Sequence, residues 1–173
     1  MNNRYVWYFA YGSNLKLSQM TERVGDWIAA KRAQAGRWEL VFDVWSPRWN
    51  GYTANIRNTG NSSQRVFGAV YQITISQLEA LTTFEGRPPS EIIVKLEDGT
   101  EISDAKVYVW PKSKASERPP DKYRDAILEG LRQHGYSEEV ASKVRTWIES
   151  TRKQNWTTEE LSDNQRGADE SKG

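Results

Sequence analysis

RYVWYFAYGSNL, residues 4–15, is the stretch from which the fold is read. Residues 4–11 are rich in aromatic and β-branched types, which predicts a buried first strand. Gly12-Ser13-Asn14 places three turn-forming residues after it and ends the strand. A short helix is predicted over 16–24, with Leu17, Met20 and Val24 spaced along one face.

Downstream, Gly36 is read as opening a strand over 37–45, and 52–57 and 66–73 read as two more. The polar run NTGNSSQ (58–64) connects them. Ser76-Gln77-Leu78-Glu79 has the spacing of a capping box. The helix it starts is expected to pack Leu78, Leu81 and Phe84 and to stop at Gly86, with Pro88-Pro89 beyond. That places Glu85 on its last turn. Residues 91–96 and 102–110 flank a Glu97-Asp98-Gly99 turn and read as a hairpin. After Pro119-Pro120, a helix over 121–134 lines up Tyr123, Ile127 and Leu131. Ser137 can cap a further helix in which Val140, Val144, Trp147 and Ile148 repeat at helical spacing, Trp147 and Ile148 being read as core. Strands first and helices later favour an α+β domain with a mainly antiparallel or mixed sheet. The domain is expected to span 1–156, and 157–173 read as a polar, disordered tail.

Composition excludes several chemistries. The chain has 173 residues, no Cys and one His, so a thiol nucleophile, a thiolate metal site and a His cluster are all ruled out. Acid–base work then falls to a carboxylate, Lys or Tyr. With 24 Lys plus Arg against 23 Asp plus Glu, the net charge is +1. That argues against strong global attraction to nucleic acid or anionic membrane. The N-terminus lacks the basic start and cleavage site of a secretory signal, so a cytoplasmic setting is expected.

Two places can carry chemistry. The turn after Tyr11 offers backbone N–H groups that can form a small nest for a carboxylate or an oxyanion, although such turns are common as plain strand-to-helix links. Glu85 faces the negative end of its helix dipole, with Phe84 beside it, which raises a carboxyl pKa. The plainer alternative is a surface Glu paired with Arg87. His134, just before Gly135, reads as a cation that suits a helix end. Trp45-Ser46-Pro47-Arg48-Trp49 could stack on bases, but packing on the domain or at a ligand mouth is the better reading.

YFAYGSNL, followed some seventy residues later by a helix ending in Phe84-Glu85-Gly86, resembles the gamma-glutamylcyclotransferase-like family. The resemblance takes in the hairpin after the Glu and Pro119-Pro120-Asp121-Lys122-Tyr123, over about residues 5–150. It implies a compact β-barrel with flanking helices. The implied enzyme turns a γ-glutamyl amide into 5-oxoproline and releases the amine, with no cofactor and no metal. Glu85 is then the acid–base residue. Tyr8, Phe9, Ala10, Tyr11, Gly12, Ser13 and Asn14 form the loop that holds the glutamyl part, joined by Tyr123. Well-known members carry a Tyr shortly after the Glu-Gly, where this chain has Ile92; this bears on the leaving group. The thiol-peptide-specific branch carries a YGSL-type loop instead, so glutathione is not the first choice. The expected partner is a small γ-glutamyl molecule, with no nucleic acid or membrane, and a homodimer is compatible with this reading. The alternatives are a non-catalytic or diverged binding member of the same fold, and single-strand binding through Trp45–Trp49.

Overall fold

The computed structural model describes residues 4–111 and 115–151. The expected tail, 157–173, lies outside the described residues.

β1 (Tyr5–Ala10) runs into a single 3-10 turn (Ser13–Leu15) and then α1 (Leu17–Val24). β2 (Ala29–Gly36), β3 (Trp38–Ser46), β4 (Gly51–Asn58) and β5 (Arg65–Thr74) follow. α2 (Ile75–Glu85) leads to β6 (Ser90–Leu96) and β7 (Glu101–Val107), and α3 (Asp121–Gln133) and α4 (Glu138–Ser150) complete the described chain. Five strands close a barrel in the order β1-β5-β2-β6-β7, while β3 and β4 form a separate two-stranded sheet. Every pairing in the barrel is antiparallel except β1 with β7, which is parallel and closes it. The fold is thus the α+β mixed barrel with flanking helices that the sequence led us to expect. Closure removes the free sheet edges that an open five-stranded sheet would expose.

Long aromatic and aliphatic side chains fill the interior, among them Phe9, Tyr71, Ile73 and Leu81, all with no exposed surface. Ile92 belongs to this packing: it is 4% exposed and paired across the hairpin with Ala105.

Several expectations are corrected. β2 was not anticipated. Its sequence, AAKRAQAG, lacks the β-branched and aromatic residues that mark strands, and pairing with β5 and β6 makes it one. Gly36 therefore ends β2 instead of opening β3, and Arg37, at φ 70°, turns the chain between them. The capping box lies two residues earlier than the motif suggested. Thr74 accepts from Gln77 N, and the Gln77 side chain accepts from Thr74 N. Thr74-Ile75-Ser76-Gln77 fits the same pattern, and Gln77 also donates to Val24 O and Asp26 O, tying the helix start to the end of α1. Gly86 does end α2, in the left-handed conformation at φ 71° that glycine adopts without strain. Strand β7 stops at Val107, short of residue 110. Trp147 is 41% exposed and not core: its indole N–H donates to Leu40 O at 2.7 Å, while Ile148 is fully buried.

Candidate active site

The YGSN turn is held from four sides. Tyr71 on β5 donates its hydroxyl to Asn14 O at 3.0 Å. His134, at the end of α3, places Nε2 2.8 Å from the Tyr71 hydroxyl and 3.0 Å from Leu15 O. A carbonyl only accepts, so Nε2 carries a proton there. Burial pushes the His134 pKa down. It is therefore a neutral clamp on the turn at neutral pH, not the dipole-facing cation that its sequence position suggested. Gln19 on α1 donates to both Ser13 Oγ and, at 3.1 Å, Asn14 Oδ1.

Tyr123, from α3, closes the fourth side. Its hydroxyl accepts from Ala54 N at 3.1 Å, and its ring takes Trp49 edge-on at 5.0 Å. A Cβ on Gly12 would lie 2.6 Å from that hydroxyl. The close approach that Gly12 permits is thus taken up by Tyr123. Trp45 packs edge-on against Tyr52 at 5.3 Å, and Arg48 reaches Glu22 at 3.6 Å. The Trp45–Trp49 segment accordingly folds back on the domain.

Alternation along β1 divides the remaining motif residues. Phe9 and Ala10 are fully buried, and Phe9 packs on Tyr11 with ring centroids 6.2 Å apart. Tyr11 donates its hydroxyl to Tyr108 O. Tyr8 lies on the opposite face, beside Tyr108, and accepts a hydrogen bond from Asn14 Nδ2 at 2.9 Å. That leaves its own O–H proton for another acceptor. Burial pushes the Tyr8 and Tyr11 phenols well above their ordinary pKa, with the Glu85 charge adding to it, and lifts Tyr108 and Tyr123 to about 12. All four are neutral hydroxyls at neutral pH, able to donate but not to act as bases.

Glu85 arrives at this turn from a position 71 residues further along the chain. Its Oε1 lies 3.5 Å from Asn14 Nδ2 and 3.4 Å from Arg23 Nη1. Its side chain is only 23% exposed. Burial raises the Glu85 pKa, while the Arg23 charge and the Asn14 amide oppose that rise. Two expected neighbours are not where the sequence put them. Phe84 is 52% exposed and covered on one face by the Arg23 guanidinium at 5.1 Å, so it does not bury the carboxylate from the core side. Arg87 stacks on Trp110 at 5.0 Å, and the ion pair of Glu85 is with Arg23 instead.

The model of the gamma-glutamyl cyclotransferase, AIG2-like family matches residues 8–128. The chain belongs to that family. No curated protein sequence matches it. Among solved structures it is similar to one described as a gamma-glutamyl cyclotransferase, at 23% identity and a TM-score of 0.73, covering 95% of this chain and 99% of that one. An uncharacterized human protein is similar at 24% identity and a TM-score of 0.71, covering 94% and 98%. YkqA from Bacillus subtilis matches at 23% identity and a TM-score of 0.71, covering 87% of this chain and 56% of that one. At these identities the structures speak to the fold, which they share with this cyclotransferase-family chain.

Arg23, Gln19 and Tyr108 complete the site and were not singled out from the sequence. A faint signal existed for Arg23. It stands three residues after buried Met20, on the face of α1 that turns inward, where a charged residue is rare. Among the described residues no group of three or more His, Cys, Asp and Glu is placed to hold a metal ion, and no helix is long and apolar enough to cross a membrane.

Proposed function

We propose that the protein cyclises a γ-glutamyl amide, releasing 5-oxoproline and the attached amine or amino acid. The observation that carries this reading is the meeting of Glu85 with Asn14 of the YGSN turn, a partly buried carboxylate against the loop to which the family resemblance assigns the glutamyl part.

The α-amino group of the substrate is the nucleophile and its own γ-carbonyl the target. Holding the chain folded into a near-attack geometry therefore removes much of the barrier. Most of that amine is an ammonium ion at neutral pH. Glu85 accepts its proton, and the freed lone pair attacks the carbon of that carbonyl, closing the five-membered ring. Negative charge gathers on the former carbonyl oxygen, where neutral donors of the site, the Tyr8 hydroxyl and turn N–H groups, can meet it. As the tetrahedral intermediate collapses, the bond to the leaving nitrogen breaks and protonated Glu85 supplies that nitrogen with a proton; the ring nitrogen gives up its extra proton to the same carboxylate, which passes it to the amine released as an ammonium ion. No water is consumed, and the carboxylate ends as it began. A carboxyl pushed upward by burial and held in check by Arg23 suits a group that must take and return a proton near neutrality.

The test is incubation of the protein with a panel of γ-glutamyl-amino acids and γ-glutamyl-amines, reading 5-oxoproline. Turnover by the wild type, lost in Glu85→Gln, supports the reading. Saturable binding without product across the panel would instead favour a binding member of the fold.

A further inference from the structure

Arg23 supplies no proton and no nucleophile to the cyclisation, yet it sits against the carboxylate that moves both protons. Its side chain is 9% exposed, unusually low for arginine. The guanidinium is fixed between two residues of one helix end, with the Phe84 ring 5.1 Å from its central carbon and Glu85 Oε1 3.4 Å from Nη1. Its Nε is buried without a hydrogen-bond partner. A desolvated cation with an unmet donor is costly to keep, and the carboxylate is the compensation the described residues provide.

The arrangement is directional. Among the described residues, both donors that reach Glu85, from Asn14 and from Arg23, fall on Oε1. Among the described residues, the other ionisable groups that feel the Glu85 charge are Tyr8 and Tyr11 from the first strand and its turn, Tyr108 beyond β7, and Tyr123 from α3. Those phenols are neutral near pH 7, so among the described residues Arg23 is the charge that faces Glu85.

We propose that Arg23 is the positioning residue of the site: it anchors Oε1 of Glu85 from α1, so that Oε2 is the oxygen that exchanges protons with substrate. The inference rests on Glu85 being the base of the proposed cyclisation. It has two parts, orientation of the carboxylate and retention of its charge in the resting enzyme. Lysine can keep the charge but cannot also cover the Phe84 face with a planar group. Glutamine removes the charge altogether.

Arg23→Gln and Arg23→Lys separate these parts. The first readout is the acid limb of kcat/KM against pH, with the best substrate of the γ-glutamyl panel. The second is the titration of the Glu85 carboxyl carbon by NMR, its resonance being the one absent from Glu85→Gln. In Arg23→Gln both midpoints are expected to rise by about one unit or more, the usual effect of losing an adjacent opposite charge. That is roughly a tenfold loss of kcat/KM on the acid side of the profile for each unit. In Arg23→Lys both midpoints return toward the wild type, while kcat stays below it because the carboxylate is less well oriented. An unmoved midpoint in a folded Arg23→Gln overturns the proposal, as does an Arg23→Lys protein indistinguishable from Arg23→Gln. If the wild type turns over nothing in the panel, the proposed activity fails, while the NMR titration still decides whether Arg23 governs the charge of Glu85.

Discussion

Placing a methyl group on Gly12 tests how the site is built. The backbone there has φ −108°, so the objection to a side chain is steric. The new Cβ would meet the Tyr123 hydroxyl at 2.6 Å, where ordinary contact begins at 3.4 Å. Tyr123 is 4% exposed and braced by Trp49, so retreat costs it the bond from Ala54 N, itself 3.1 Å long and buried. Overpacking costs about 1–3 kcal/mol, and a buried N–H left without a partner costs about 1–3 kcal/mol more. Gly12→Ala is therefore expected to lose about 2–6 kcal/mol of folding stability. Tyr123→Phe alone strands the same N–H and should lose about 1–3 kcal/mol. Together they should not add. With the oxygen gone, the nearest ring atom is Cζ at 3.7 Å, an ordinary contact. The double variant should sit close to Tyr123→Phe, a coupling as large as the whole Gly12→Ala cost, about 2–6 kcal/mol. Urea unfolding followed by the fluorescence of the eight tryptophans measures all three proteins. Costs that add to within about 0.5 kcal/mol would refute the claim that Gly12 is there to admit Tyr123.

Gln77→Ala removes the reciprocal half of the Thr74 cap and both bonds to the end of α1; a loss of about 1–3 kcal/mol is expected in the same unfolding assay. His134 supplies a pH dependence of known sign. Burial lowers its folded pKa below the ordinary 6.5. As pH falls, the unfolded chain takes the proton first, so this contribution is complete above about 6.5 and is lost as pH drops toward the folded value. In His134→Gln, stability measured across that acidic range should fall less steeply than in the wild type.

Most of the barrel was legible because its strands are written in aromatic and β-branched residues: YVWYF on β1, VFGAVYQI on β5, EIIV on β6. β2 was not, because an alanine-rich strand flanked by two others is specified by its neighbours and carries no pattern of its own. The cap of α2 was misplaced because overlapping segments satisfy one motif, and only the end of β5 and the reach of Gln77 to α1 choose between them. Within the site, Glu85 and the YGSN turn were visible as separate motifs. Their meeting depended on the path of the whole barrel. Arg23 was missed because its partner lies 62 residues away, and a lone arginine on a short helix reads as surface. Tyr123 was marked for substrate, and its position gives it a structural task at Gly12.

The central claim is that Glu85 is the proton carrier of an intramolecular cyclisation. Release of 5-oxoproline by wild type and by Glu85→Gln, measured side by side on the γ-glutamyl panel, tests it most directly. We expect turnover in the wild type and a loss on the order of 10²–10⁴-fold in kcat for Glu85→Gln, with substrate still bound. Equal rates of 5-oxoproline release from the two proteins would contradict it.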